Sequence, residues 1–336
     1  MGGRDPIRDA VAGRDVRPLL AALKGASDAE EDLGELVTPE RDAVLSLLFG
    51  GLPDEKLHDS CVLFLSKICA RDRSSLARVF ALLKGKDARA ASGAAAVVAT
   101  VCARNPKLCQ PAPRGAVASL RALLSNPARE DFHDDRSVRP RAVEALGALG
   151  DAAAVPVLVS ALGDEDDAVA EKAKYSLVGM RTQARVLAEV TRLLSPAASA
   201  APVSRALWVV NRMALSGDAD ESSFSPLLPD IARVIASKDD AIVQWRAASA
   251  AVAIDRAKGV RAIAGLLAQE FGSRNERAWR NAVSALSRLA ESGYPAARDE
   301  IRRFVSSQER LPEEKRRAAY GEARFALDVL EASACE

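Results

Sequence analysis

The sequence predicts an all-α protein built from stacked pairs of helices, the right-handed α-α superhelix of an α-solenoid. Two observations support this prediction. Between Ser137 and Met180, a first amphipathic helix ends at Gly150-Asp151 and a second ends at Gly163-Asp164. The pattern of the first helix then returns at Val169. A similar apolar pattern also recurs along the chain at intervals typical of two-helix repeats.

The recurring pattern is a column of small and aliphatic residues on one face of each first helix. In its clearest copy the column has helical i, i+3, i+4 and i+7 spacing and consists of Ala142, Val143, Ala145, Leu146 and Leu149. Successive columns begin 31 to 48 residues apart, and they begin at Cys61, Ala94, Ala142, Ala173, Ala206, Ala248 and Ala282. Because their side chains are small, these columns predict that neighbouring helices approach closely.

A second helix is predicted after each first helix. These partner segments lie near Ser74–Lys84, Arg114–Leu124, Ala152–Leu162, Gln183–Leu194, Ser225–Ala236, Lys258–Gln269 and Tyr294–Ser306. Acidic residues and glycine at the breaks are typical helix caps, and the candidates are Asp72, Asp151, Asp164, Asp218 and Gly293.

The two ends of the chain are less regular than its middle. We expect residues 1–53 to form an irregular helical N-terminal cap, with helices at Asp15–Leu23 and Pro39–Phe49 on either side of an acidic segment, Ser27–Glu35. Terminal repeats need a polar outer face, which such a cap supplies. The repeats are expected to occupy residues 54–308.

Residues 309–336 are expected to form a C-terminal capping helix and a tail. Pro312 starts the predicted helix, which runs to Leu330 and carries an apolar stripe that includes Tyr320, Phe325, Leu327 and Leu330.

Composition narrows the classes of function. The chain has 336 residues, of which 49% are hydrophobic and 28% charged, so most of it can fold around a core. Its net charge of +1 gives no general attraction to nucleic acid or to an acidic membrane. No apolar run is long enough for a membrane span, and the first residues lack an apolar signal segment. A reducing, bacterial-type cytoplasm is therefore the expected location.

Residues that could carry chemistry are few. The two histidines, His58 and His133, have no partner at metal-ligand spacing. Cys61 and Cys69 are eight residues apart on one predicted helix and are expected to be small buried residues rather than disulfide partners. Cys102 and Cys109 have no histidine nearby in sequence to act as a base. We expect no catalytic, metal or cofactor residue.

The segments V-R-P-R-A-V-E-A-L-G-A-L-G-D, from Val138, and V-P-V-L-V-S-A-L-G-D, from Val155, resemble HEAT repeats of the bacterial type. The resemblance covers roughly Leu57 to Ser307. It implies a scaffold whose second helices line a concave face, and it implies no particular chemistry, because proteins with this fold share an architecture and not a reaction.

Two sets of residues are candidates for binding a partner. The first set is the basic residues on the second helices, and the second is a pair of tryptophans at equivalent repeat positions, each followed by an arginine. The candidates are Arg78, Arg121, Arg185, Arg192, Arg233, Arg261, Trp245 and Trp279. In the alternative interpretation, the arginines solvate exposed helix faces and the tryptophans pack between repeats.

The function predicted from these features is a non-enzymatic scaffold that binds a partner protein or an acidic peptide on a basic concave face. Two alternatives stay open. One is a DNA-binding protein resembling the HEAT-like alkylpurine DNA glycosylases, suggested by Trp279, Arg280 and the second-helix arginines, although no residue matches the catalytic aspartate of that family. The other is an accessory subunit of a modifying complex that resembles a HEAT-type bilin lyase.

Overall fold

The structure, a computed structural model, describes residues 6–25, 38–125, 137–180, 184–195, 197–216, 221–238, 240–268, 276–313, 316 and 319–332. All regular secondary structure within these residues is helical. The predicted all-α, HEAT-like fold class is confirmed. The chain divides into two compact units, Met1–Met180 and Arg181–Glu336.

The first unit begins with three helices and continues with helical pairs. Its helices are α1 (Pro6–Gly13), α2 (Val16–Gly25), α3 (Thr38–Gly51), α4 (His58–Cys69), α5 (Arg73–Leu82), α6 (Ala88–Arg104), α7 (Pro106–Cys109), α8 (Ala116–Leu124), α9 (Val138–Leu149), α10 (Val155–Ala161) and α11 (Asp167–Gly179). Helices α2 and α3 match the predicted N-terminal helices, whereas the acidic segment between them lies outside the described residues.

The second unit continues the alternation of first and second helices. Its helices are α12 (Ala184–Leu193), α13 (Ala200–Leu215), α14 (Glu221–Phe224), α15 (Leu228–Ser237), α16 (Ala241–Ile254), α17 (Arg256–Ala268), α18 (Glu276–Glu291), α19 (Pro295–Glu309) and α20 (Tyr320–Ala332). The first helices α13, α16, α18 and α20 pack side by side, as do the second helices α15, α17 and α19. Two layers of helices therefore build this unit.

The columns found in the sequence form the core. Ala142, Val143, Ala145 and Leu146 on α9 have no exposed surface, and α9 packs against both α6 and α11. Burying one such aliphatic side chain contributes about 1.5–3 kcal/mol to stability. Gly150 ends α9 in a left-handed conformation with φ of 63°, as the predicted break requires.

The predicted C-terminal helix begins later than expected. It spans Tyr320–Ala332 instead of starting at Pro312, and it packs against α19. Before it, Arg316 Nε donates to the carbonyl of Leu311 and the guanidinium lies 5.1 Å from the centre of the Tyr320 ring. Phe325 was also misplaced: it is 72% exposed, because the buried face of α20 follows Ala323, Leu327 and Leu330.

Aspartate side chains cap several helices. Asp151 accepts a hydrogen bond from the backbone N–H of Ala153, as predicted, and Asp72 accepts from the N–H groups of Ser74 and Ser75. Asp164 does not cap α11, because Asp166 takes that position and accepts from the N–H of Ala168. The predicted cap Asp218 lies outside the described residues.

Replacing Asp72 by alanine is expected to destabilise the first unit by about 1 kcal/mol. Burial raises the pKa of this carboxyl, but hydrogen bonds from Ser74 and Ser75 outweigh that effect and hold the pKa at about 2, below the ordinary 3.8. Because the folded state has the lower pKa, the stabilisation is present above pH 3.8 and disappears as the pH falls towards 2.

Urea unfolding of the wild-type chain and of Asp72→Ala at neutral and acidic pH measures this contribution. Asp59→Ala, an exposed acid in the first turn of α4, is the control. A difference between wild type and Asp72→Ala that does not shrink at acidic pH would contradict the assignment.

Candidate functional site

The first candidate site is a groove in the first unit between the second helices α8 and α10. It encloses about 620 Å³. Arg121 and Leu124 of α8 form one wall, and Pro156, Val157 and Ser160 of α10 form the other. The groove is open because α8 and α10 both pack on first helices and hardly touch each other. A chain segment of a partner can enter such a space without displacing core residues.

The floor of this groove is a fixed ion pair between Arg139 and Asp164. Arg139 Nη2 lies 2.5 Å from Asp164 Oδ2, and both side chains are about five-sixths buried, with 17% and 16% exposed. Arg139 Nε also donates to the carbonyl of Leu124 at 3.2 Å, and Asp164 Oδ1 accepts from the N–H of Asp166. The pair therefore links the ends of α8, α9 and α10 and sets the shape of the groove.

Arg121 is the residue of the groove with the greatest freedom to bind a partner. Its side chain is exposed, and none of the acidic residues in the described part of the chain forms an ion pair with it. Glu165 is the exposed acid among the described lining residues. A partner segment that enters the groove therefore meets an attractive site for a carboxylate at Arg121 and a repulsive one at Glu165.

Arg78, also predicted as a binding residue, has a structural role. Its guanidinium donates to Asp42 Oδ1 at 2.8 Å and to Ser46 Oγ at 3.1 Å, and it lies 5.4 Å from the centre of the Phe49 ring. These contacts join α5 to α3, the last helix before the repeats. A partner would have to break them to use this arginine.

The second-helix arginines of the second unit fall into two groups. Arg192 pairs with Glu189, and Arg233 pairs with Asp230, each with an acid three residues earlier in the same helix. Arg185 and Arg261 are exposed and form no ion pair with the acids that the structure describes. Acids on the same helices therefore neutralise part of the positive charge of the second helices in this unit. This weakens the attraction of these helices for a nucleic-acid phosphate backbone.

The two candidate tryptophans lie on first helices and so belong to the other layer. Trp245 of α16 is partly exposed, whereas Trp279 of α18 is buried, with 8% of its surface exposed. The arginines that follow them are engaged within the second unit: Arg246 donates to Ser204 Oγ at 2.8 Å, and Arg280 pairs with Glu322 at 3.2 Å. Within the second unit, the candidate tryptophans therefore lie on first helices and the candidate arginines on second helices.

The structure contains a disulfide that the sequence did not predict. Cys102 and Cys109 form a disulfide that joins the end of α6 to α7. Cys61 and Cys69 are free and buried, as predicted. Burial, and secondarily the charges of Asp54 and Asp72 respectively, raises the pKa of Cys61 to about 11 and that of Cys69 to about 12. Both thiols therefore stay protonated and unreactive at neutral pH.

The described residues offer neither a metal site nor a membrane-spanning helix. No cluster of three or more histidine, cysteine or acidic side chains has the geometry to hold a metal ion there. None of the described helices combines the length and apolarity needed to cross a bilayer.

The helical layers and their repeat define the α-solenoid class of proteins. Within that class, a family model for HEAT repeats matches residues 127–208 of this chain. No curated protein sequence matches the chain.

Solved structures with the same fold include importin-β of yeast. A chain from a structure of Kap95p with RanGDP is 16% identical to this one, with a TM-score of 0.53, over 99% of this chain and 47% of that one. Yeast importin-β (Kap95p) alone gives 16% identity and a TM-score of 0.50, over 96% and 46%. The present chain therefore spans about half the length of these relatives, and at this identity the likeness shows the fold alone.

A complex of the two phycocyanin lyase proteins CpcE and CpcF from Nostoc also contains a similar chain. That chain is 19% identical, with a TM-score of 0.36, over 76% of this chain and 94% of its own length.

Proposed function

We propose that this chain is a non-enzymatic scaffold that binds a partner protein through its second-helix layer, and that the bound segment carries acidic side chains. The observation that carries this proposal is the open groove between α8 and α10, in which exposed Arg121 lies above the fixed Arg139–Asp164 pair. HEAT-type repeats present extended surfaces of this kind to partner proteins.

Arg121 gives the groove its preference for an acidic partner. The Arg139–Asp164 pair is internally neutral, so its net field is small, and Arg121 is the exposed cation of the described lining. An arginine guanidinium binds a carboxylate through two parallel hydrogen bonds, which adds geometric selectivity to the attraction. Leu124, Pro156 and Val157 supply an apolar surface beside it. The preferred ligand therefore combines a carboxylate with a neighbouring apolar side chain.

Replacing Arg121 by glutamate is expected to weaken binding of acidic peptides by about tenfold or more, because attraction at this position becomes repulsion. The measurement uses random peptides displayed on phage and selected on the intact wild-type chain, followed by affinity measurements on the enriched sequences. The enriched sequences are expected to be rich in aspartate and glutamate.

Arg104→Glu is the matched control, because it makes the same charge change at an exposed position at the end of α6, outside the groove. A fluorescent DNA duplex at low salt is a second probe, and we expect no binding to it because the second-helix arginines of the second unit are partly neutralised. Peptides that bind the Arg121→Glu variant as tightly as the wild type would show that the groove is not the binding site. Tight DNA binding would refute the scaffold proposal.

A further inference from the structure

A second groove, separate from the one that contains Arg121, lies in the first-helix layer of the second unit. It encloses about 810 Å³ between the C-terminal halves of α13 and α16, and the starts of α17 and α19 close one end. Its apolar surface comes mainly from Leu215, Trp245, Val252, Ile254 and Leu289. The helices behind it are packed together, so the groove is a stable surface feature of this unit.

Leu215 and Trp245 are the accessible members of this apolar lining, whereas Val252, Ile254 and Leu289 are buried. Leu215 is 62% exposed at the end of α13. On α16, Ile242, Trp245, Ser249 and Val252 follow one another at intervals of three and four residues and therefore share one helix face. Ile242 is 61% exposed and extends the apolar strip beyond the groove by one turn. Exposed leucine, isoleucine and tryptophan side chains on adjacent first helices mark an interaction surface.

Trp245 is the central residue of this surface. It occupies the same repeat position as Trp279, but Trp279 is buried and Trp245 is not. The indole N–H of Trp245 makes no hydrogen bond to any residue that the structure describes. A large apolar body with an available donor is the combination that dominates protein interfaces. The groove can therefore hold one large side chain and still bond to the backbone that carries it.

Two exposed arginines lie in or next to the lining of the groove, among the residues that the structure describes. Arg256 lies in the lining, with its guanidinium 5.7 Å from the centre of the Tyr294 ring. Arg212 follows the lining residue Asn211 on α13 and has no ion pair with the acids described. Asp255 is already engaged, because it accepts from the N–H of Lys258 at 2.7 Å and pairs with Lys258 Nζ at 3.0 Å. Glu291 of α18 is an exposed acid near the lining residues Leu289 and Ser292.

We propose that this groove docks a segment of a partner protein in which a leucine or phenylalanine anchor is flanked by carboxylates. The anchor packs against Trp245 and Leu215, and the carboxylates pair with Arg256 and Arg212. The apolar lining favours a leucine or phenylalanine side chain, and the positive charges of the two arginines favour acidic residues beside it. This site shares no lining residue with the Arg121 groove, which belongs to the first unit.

The test uses the intact chain and three short synthetic peptides labelled with fluorescein. The first places a phenylalanine between aspartate and glutamate residues, the second replaces that phenylalanine by alanine, and the third replaces the acids by lysine. The first peptide is expected to bind and to change the tryptophan emission, and Trp245→Phe should abolish that change. The other two peptides are expected to bind about tenfold more weakly.

Three variants locate the site. Leu215→Ala and Arg256→Glu are each expected to weaken binding of the first peptide by about tenfold. Arg256→Glu should also strengthen binding of the peptide in which lysine replaces the acids. Arg261→Glu makes the same charge change in the second-helix layer of the same unit and should leave binding unchanged. Failure of the first peptide to bind, or binding that depends on Arg261 and not on Leu215 or Arg256, overturns the proposal. A dimer seen by sedimentation that Leu215→Ala dissociates also overturns it, because a second copy would then occupy the groove.

Discussion

Replacing Gly259 by alanine is expected to destabilise the second unit by about 3 kcal/mol, enough to be a large fraction of the stability of a typical domain. Gly259 lies in the first turn of α17, where the chain has just left α16 through a single linking residue, Asp255. A Cβ atom added at Gly259 would lie 2.5 Å from the carbonyl carbon of Ala251 and 2.8 Å from the nitrogen of Val252. These are backbone atoms of α16, so no side-chain rotation can relieve the clash.

Gly265 provides a control within the same helix. A Cβ added there meets nothing within 4 Å, so Gly265→Ala should stabilise the unit by up to about 1 kcal/mol through helix propensity alone. Urea unfolding followed by circular dichroism compares the two variants. Equal effects of the two substitutions would contradict the view that α16 and α17 touch through their backbones. Because Trp245, Ile254 and Arg256 lie on either side of this contact, Gly259→Ala should also weaken peptide binding in the first-helix groove.

The sequence alone located the helical repeats because the physics that sets them is local. Columns such as Ala142 to Leu149 follow the helical period, and Gly150-Asp151 ends the helix by conformation and capping, so both signals lie within a short stretch. The C-terminal helix was placed less well. Pro312 is a valid helix start, but the helix begins at Tyr320, and its packing against α19 is a tertiary contact that a local signal does not contain.

The binding residues were less predictable, although one signal was present in the sequence. Glu189 precedes Arg192 by three residues, and Asp230 precedes Arg233 by three, a spacing that favours ion pairs on a helix. Counting arginines without these partners overestimated the charge of the second-helix layer. The difference between Trp245 and Trp279 could not be predicted, since both stand at the same repeat position and only packing makes one accessible.

The disulfide between Cys102 and Cys109 bears on the location of the protein. Two cysteines seven residues apart across a helix end gave no clear sequence signal, because pairing depends on how α7 folds back on α6. Disulfides persist in oxidising compartments and are rare in a reducing cytoplasm. The expected cytoplasmic location therefore stays a prediction, and the disulfide argues against it.

Replacing Gly147 by alanine is expected to destabilise the first unit by about 2 kcal/mol. The repeats of this unit depend on close approach between neighbouring first helices, and Gly147 of α9 lies against Ser176 of α11. A Cβ at Gly147 would lie 2.5 Å from Ser176 Oγ and 3.0 Å from Ser176 Cα. Part of the contact is with Cα, so rotating the serine hydroxyl does not relieve it and the two helices must separate.

Removing the opposing side chain should reduce this effect. In a Ser176→Gly background the contacts with Cβ and Oγ are gone and only the 3.0 Å contact with Cα remains, so Gly147→Ala should cost clearly less than in the wild-type background, helped by the higher helix propensity of alanine over glycine. The difference between the two backgrounds is the coupling energy of the pair, measured as a double-mutant cycle by urea unfolding. Gly179→Ala, at the end of α11, is the control because a Cβ there meets nothing within 4 Å. If Gly147→Ala costs the same in both backgrounds, the clash is not with Ser176, and the small residues of the columns do not set the helix spacing at this repeat.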